Sequence, residues 1–131
     1  MEREKRKVLV VEDEPTIAKT VRLALEAEGF EVFVAEDGLE ALKMVRNDSP
    51  DLILLDVMLP KFDGFKVCRL LKFDKNTGHI PIVLSSARNS DADLERGRKA
   101  GADEYIAKPF DLEQLVQIVR TRIRQALSST N

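Results

Sequence analysis

Four apolar runs of this chain end on residues able to do chemistry. Val8-Leu9-Val10-Val11 hands over to Glu12 and Asp13, Leu52-Ile53-Leu54-Leu55 to Asp56, Ile82-Val83-Leu84 to Ser85 and Ser86, and Tyr105-Ile106-Ala107 to Lys108. Carboxylates gathered without a counter-charge repel and raise one another's pKa, and a divalent cation relieves this. All-oxygen ligation with few protein donors suits Mg²⁺, which keeps waters and shares phosphate oxygens, with Mn²⁺ as an expected substitute. Lys108 precedes Pro109-Phe110, a rigid turn that fixes its backbone. A fixed ammonium beside carboxylates is placed to neutralise a phosphoryl oxygen, and Ser86 offers a hydroxyl to another. Each residue alone has an ordinary explanation as a loop acid, a solvated lysine or a turn serine. Their shared place at strand ends is what joins them into one expected site for a metal and a phosphoryl group.

The elements that must position these groups alternate strand and helix throughout. Strands are expected at about 7–11, 31–35, 52–55, 80–85 and 104–107. Pro15 pre-sets the first helix, which Gly29 stops; Asp37-Gly38 turns into a second that runs through about Val45. A third helix opens at Gly64 and carries Phe65, Cys68 and Leu71; a fourth has Asp91 or Asp93 near its start and reaches Gly101. The last runs from Asp111, a good N-cap, to about Leu127, with Leu112, Leu115, Val116, Val119, Ile123 and Leu127 as its core stripe. Near-continuous apolar strands joined by helices imply a parallel sheet covered on both faces, and right-handed crossovers leave a five-stranded doubly wound α/β sheet as the natural topology. Ligands in such sheets bind beyond the carboxyl ends of the strands, where Glu12, Asp13, Asp56, Ser86 and Lys108 fall.

Composition narrows the classes. The 131 residues suit one domain, 1–131, with a core at about 6–127 and a short polar tail, and 44% hydrophobic against 34% charged residues marks a globular chain. Net charge −2 gives no global attraction to nucleic acid or anionic lipid, so neither direct nucleic-acid binding nor membrane binding is expected. The single cysteine excludes an internal disulfide and a multi-cysteine zinc site, and its spacing places Cys68 in a helix core. His79 stands alone in a loop. The charged N-terminus followed by a four-residue strand is neither a signal peptide nor a membrane span, and a cytoplasmic protein is expected. Gly-x-Gly-x-x-Gly, Walker and Gly-x-Ser-x-Gly signatures are absent from the sequence.

The ordered set of motifs resembles a bacterial response-regulator receiver domain, the phosphoacceptor half of two-component signalling. The resemblance covers about residues 6–127. It rests on Val8 to Glu14, the Pro50 to Pro60 run around Asp56, Gly64, Pro81 to Ala87, and Gly101 to Phe110. It implies a flavodoxin-like, CheY-like (βα)5 fold with strand order 2-1-3-4-5. It also implies that Asp56 takes a phosphoryl group from the phosphohistidine of a sensor histidine kinase or phosphotransfer protein. Glu12, Asp13, Asp56 and the Met58 backbone carbonyl are then the Mg²⁺ ligands, Lys108 the phosphoryl-binding lysine, Ser86 the switch hydroxyl and Tyr105 the aromatic whose rotamer follows phosphorylation. The Lys108-Pro109 bond is cis in that family. The output face is the fourth helix, fifth strand and fifth helix, and the protein is a switch, not a metabolic enzyme.

Three departures from the common family pattern shape the expectations. The first acid is Glu12 rather than Asp, and the switch residue is Ser86 rather than Thr. Met58 and Arg88, two positions beyond Asp56 and Ser86, flank the phosphoryl from opposite loops, and their bulk is expected to hinder water and lengthen the phosphoaspartate lifetime. Ile118 is expected to be exposed where dimerising transcription-factor receivers carry an arginine, so a monomer or weak phosphorylation-dependent dimer is expected. With the sequence ending at Asn131, a stand-alone binding module is favoured over the regulatory part of a longer DNA-binding or nucleotide-cyclase effector. A hydrolase using a covalent aspartyl phosphate is disfavoured because Met58 stands where its second acid is wanted.

Overall fold

The computed structural model describes residues 5–128; of the expected polar tail 128–131, Ser128 is instead the last residue of the final helix, and 129–131, like the first four residues, lie outside the described residues. The strands are β1 (Lys7–Val11), β2 (Glu31–Ala35), β3 (Leu52–Asp56), β4 (Ile82–Ser86) and β5 (Glu104–Ala107). They pair in parallel, in the order β2-β1-β3-β4-β5. The helices are α1 (Pro15–Ala27), α2 (Gly38–Asp48), α3 (Gly64–Lys72), α4 (Asp91–Lys99) and α5 (Leu112–Ser128). This is the doubly wound, CheY-like topology expected from the sequence.

Side chains alternate across a strand, so each apolar strand feeds two cores. Leu9, Ile53, Leu55, Ile82 and Leu84 face Val45 of α2 and Val67, Cys68 and Leu71 of α3. Val8, Val10, Leu52, Leu54 and Val83 face Val21 and Leu25 of α1 and Leu115, Val119 and Ile123 of α5. Apart from α1, which opens on Pro15 with no side-chain cap, the helix starts are closed by short polar side chains. Asp37 accepts from the Glu40 amide, Asp63 from the Lys66 amide, and Asp111 from the Glu113 amide. At α4 the N-cap is Ser90, which forms a reciprocal capping box with Asp93.

Several boundaries differ from the sequence expectation. α2 continues three residues past Val45, α4 stops two residues before Gly101, and β4 starts and ends later, so that Ser86 is its last residue rather than the one after it. Two expectations for α5 fail. Leu127 is 43% exposed, and Ile118 is half-buried against the core cluster that holds Ile106, Leu115 and Val119. α5 packs on α1 through its Val116 and Arg120 side, whereas Arg122, one turn beyond Ile118, pairs with Glu104 of β5, so the side of the helix that carries Ile118 is turned toward β5.

Candidate phosphoacceptor and metal site

Parallel register brings the sequence-predicted groups together. Val11 pairs with Leu55, so Glu12 and Asp13, which follow β1, lie beside Asp56, the last residue of β3. Asp56 in turn pairs with Ser85, and Ser86 with Ala107. The Lys108 amide donates to the Ser86 carbonyl at 2.9 Å, extending the ladder by one residue. The Lys108-Pro109 peptide is cis. Gly64 is required behind Asp56: a Cβ there would lie 2.3 Å from the Asp56 carbonyl oxygen and 2.6 Å from the Val57 Cα.

Lys108 is the hinge of the site's electrostatics. Its Nζ lies 2.6 Å from Glu12 Oε1 and 3.2 Å from Asp56 Oδ2. Glu12 and Asp56 are both buried. Burial pushes the Glu12 carboxyl above the ordinary glutamate value and the Asp56 charge adds to this, while the Lys108 hydrogen bond resists. For Lys108, burial works against the charged form, but the Glu12 hydrogen bond and the two carboxylate charges outweigh it and hold its pKa above the ordinary lysine value. The remaining Asp56 oxygen, Oδ1, accepts the Met58 amide at 3.1 Å, and Glu12 Oε2 accepts the Glu14 amide at 3.2 Å.

Carboxylate oxygens of Glu12, Asp13 and Asp56 lie within 4.8 Å of one another, with Asp13 exposed at the solvent side. Three hard oxygen donors, one of them open to water and none of them nitrogen or sulfur, fit a small divalent cation such as Mg²⁺ or Mn²⁺. Lys108 supplies a single positive charge against these three carboxylates.

A second layer surrounds this centre. Ser86 is fully buried and its Oγ accepts the Arg88 amide at 2.9 Å. The Tyr105 hydroxyl donates to the Arg88 carbonyl, and burial raises its pKa. The Arg88 guanidinium reaches Asp93 at 3.1 Å, so the β4–α4 loop is tied at both its backbone and its side chain. Met58 is 56% exposed and shares a shallow cleft with Asp13 and Arg88. The structure thus joins Glu12, Asp13, Asp56 and Lys108 directly, and sets Ser86, Tyr105, Met58 and Arg88 around them. Sequence reading missed the Ser90/Asp93 cap that anchors Arg88, for which the Ser-x-x-Asp spacing was the available signal. It also missed Gly97, where a Cβ would stand 2.9 Å from the Tyr105 ring; a glycine in mid-helix was the clue.

Comparison with known proteins agrees with this fold. The sequence profile of the family described as "Response regulator receiver domain" matches residues 8–120. The DNA-binding response regulator MtrA of Mycolicibacterium smegmatis is 42% identical over 125 residues, 95% of this chain and 54% of that protein. The chain therefore spans about half the length of this curated relative. Among solved structures, the Francisella response regulator 1452 receiver domain is 32% identical with TM-score 0.86, covering 92% of this chain and 98% of that one. A CheY-like response regulator receiver domain protein from Methanospirillum hungatei reaches TM-score 0.89 at 25% identity, covering 96% and 99%.

Proposed function

The chain belongs to the response regulator receiver domain family, and on that premise we propose that it is a phosphorylation-switched signalling domain whose acceptor is Asp56. The donor is the phosphohistidine of a sensor histidine kinase or phosphotransfer protein. An Asp56 carboxylate oxygen attacks phosphorus, the P–N bond breaks, and the imidazole leaves. The observation that carries this reading is the buried Asp56 carboxylate at the end of β3, with the Lys108 ammonium at 3.2 Å and two further carboxylates within metal-sharing distance.

Glu12, Asp13, Asp56 and the Met58 carbonyl would hold Mg²⁺, with Mn²⁺ as a substitute; when bound, it neutralises charge on the phosphoryl oxygens. Lys108 neutralises another of those oxygens and orients Asp56. The Ser86 hydroxyl already accepts the Arg88 amide, and a hydroxyl can donate while it accepts, so its proton is available to the phosphoryl group. Drawing Ser86 inward pulls on Arg88, whose carbonyl holds the Tyr105 hydroxyl. Tyr105 then changes rotamer, and the α4-β5-α5 face changes with it. Phosphorylation selects between two arrangements, each tenfold of bias costing about 1.4 kcal/mol. Met58 and Arg88, at the cleft mouth, slow the approach of water to the phosphoaspartate.

Acetyl phosphate with Mg²⁺, followed by intact mass of wild type and Asp56→Asn, tests the acceptor. Wild type gains one phosphoryl group and the variant none; an unmodified wild type ends the proposal. Met58→Asn or Arg88→Glu is expected to shorten the phosphoprotein lifetime, measured as decay of the modified mass. Phosphate release from small phosphoesters with turnover would instead favour a hydrolase.

The product of the switch is a protein–protein contact by a cytoplasmic receiver domain comprising residues 1–131. It acts as a monomer or weak phosphorylation-dependent dimer and touches neither nucleic acid nor membrane itself. No helix among the described residues is long and apolar enough to cross a membrane. A second reading is the regulatory part of a longer effector, favoured by MtrA, a DNA-binding regulator of which this chain matches about half. The open reading frame that encodes the chain distinguishes the two.

A further inference from the structure

We propose that the α3–α4 face, on the other side of α4 from β5, docks an acidic amphipathic segment of a partner protein. Two independent features of the face point there. Lys66 and Arg69 of α3 and Arg96 and Lys99 of α4 line one trough between the helices. All four are exposed, and among the described residues none forms an ion pair, although Lys61, Lys72, Arg88, Arg98 and Lys108 nearby all do. The one acid lining the trough, Asp63, already accepts the Lys66 amide as a helix cap. Lys99 also feels the Glu95 carboxylate, but the cluster as a whole, on a chain of net charge −2, is complementary to further carboxylates.

The second feature is apolar. Positions 66, 69, 70 and 73 repeat at the spacing of one helix face, so Leu70 and Phe73 stand on the same stripe as Lys66 and Arg69. They are 51% and 70% exposed, two of the largest unburied apolar side chains of the protein. Cations beside exposed apolar anchors fit a segment that presents carboxylates and apolar residues together. A nucleic acid fits less well. The Phe65 ring is buried with Arg96 over it at 4.3 Å, so Phe73 is the one exposed aromatic ring among the described residues, and a single ring does not make the run of stacking platforms that successive bases need. Leu70 has no role against phosphates.

The test uses the full chain, isotopically labelled, titrated at low ionic strength with a synthetic helical peptide of Glu, Leu and Ala. Backbone amide shifts are expected to concentrate at 61–75 and 91–100. Lys66→Glu with Arg69→Glu, or Leu70→Ser with Phe73→Ser, is expected to weaken binding about tenfold. The milder Lys66→Gln with Arg69→Gln serves if the reversal perturbs the fold, and Lys43→Glu with Arg46→Glu is the neutral control. Shifts elsewhere, no shifts, equal binding of polyglutamate, or tighter binding of a DNA duplex to the same residues would each overturn the proposal.

Discussion

At the scale of single residues, Lys108 decides the site's energetics. Its ammonium is the one cation ion-paired with the buried Glu12 and Asp56 among the described residues, so Lys108→Met leaves two buried carboxylates facing each other. Breaking such a pair costs ~3 kcal/mol. Urea unfolding should show that loss without divalent metal, and millimolar Mg²⁺ should restore part of it. Glu12 gives a pH signature. Its folded pKa is raised above the ordinary 4.5, so the folded chain binds its proton before the unfolded chain does. Its contribution to metal-free stability therefore falls as pH rises from about 4.5 through the folded value, and is constant outside that window. The stability difference between wild type and Glu12→Gln, followed by urea unfolding across mildly acidic pH, should move against wild type over that interval; a flat difference would contradict the assigned shift. Cys68 behaves differently. Burial pushes its thiol up to about 12, so alkylation should require unfolding, which timed mass spectrometry in increasing urea can check.

At the scale of elements, two glycines back the residues of the proposed switch, Gly64 behind Asp56 and Gly97 against Tyr105. Gly64→Ala would drive a methyl into the Asp56 and Val57 backbone, which cannot yield as a flexible side chain can. A loss of about 3 kcal/mol with a sharply reduced acetyl phosphate rate is expected, measured by thermal unfolding and intact mass. Gly97→Ala should be tolerated better by α4, since alanine gains about 1 kcal/mol of helix propensity, but its methyl meets the Tyr105 ring. It should shift Tyr105 ring resonances while leaving Asp56 able to accept a phosphoryl group. These elements were unevenly legible. The strands announced themselves because apolar runs such as 52–55 are buried on both faces, and the clustering of Asp56 with Glu12, Asp13 and Lys108 followed from their positions at strand ends. What sequence left open was set by tertiary contact. The half-burial of Ile118 depends on how α5 lies over the sheet, the exposure of Leu127 on how the last turn of α5 is packed, and the extra residue of β4 on pairing with β5. No local pattern encodes those distances.

At the scale of the whole molecule, metal and fold are linked. A cation that binds only the folded site should stabilise the protein by about 2.7 kcal/mol at a hundredfold excess over its dissociation constant. Thermal unfolding with Mg²⁺ against chelator should show this shift in wild type and lose most of it in Asp13→Ala; equal melting of both proteins under both conditions would exclude a metal at this site. The one-to-three ratio of ammonium to carboxylates has a further consequence for how a signal leaves the site. A dication cancels the two surplus negative charges, and an acyl phosphate of about −2 in place of one carboxylate then changes the total by only one charge. Seen from α5 or from a partner across the surface, the long-range field changes by that single charge, which salt screens. In the proposed switch the signal would therefore leave chiefly as displacement through Ser86, the Arg88 backbone and the Tyr105 ring, a mechanical message that ionic strength cannot mute.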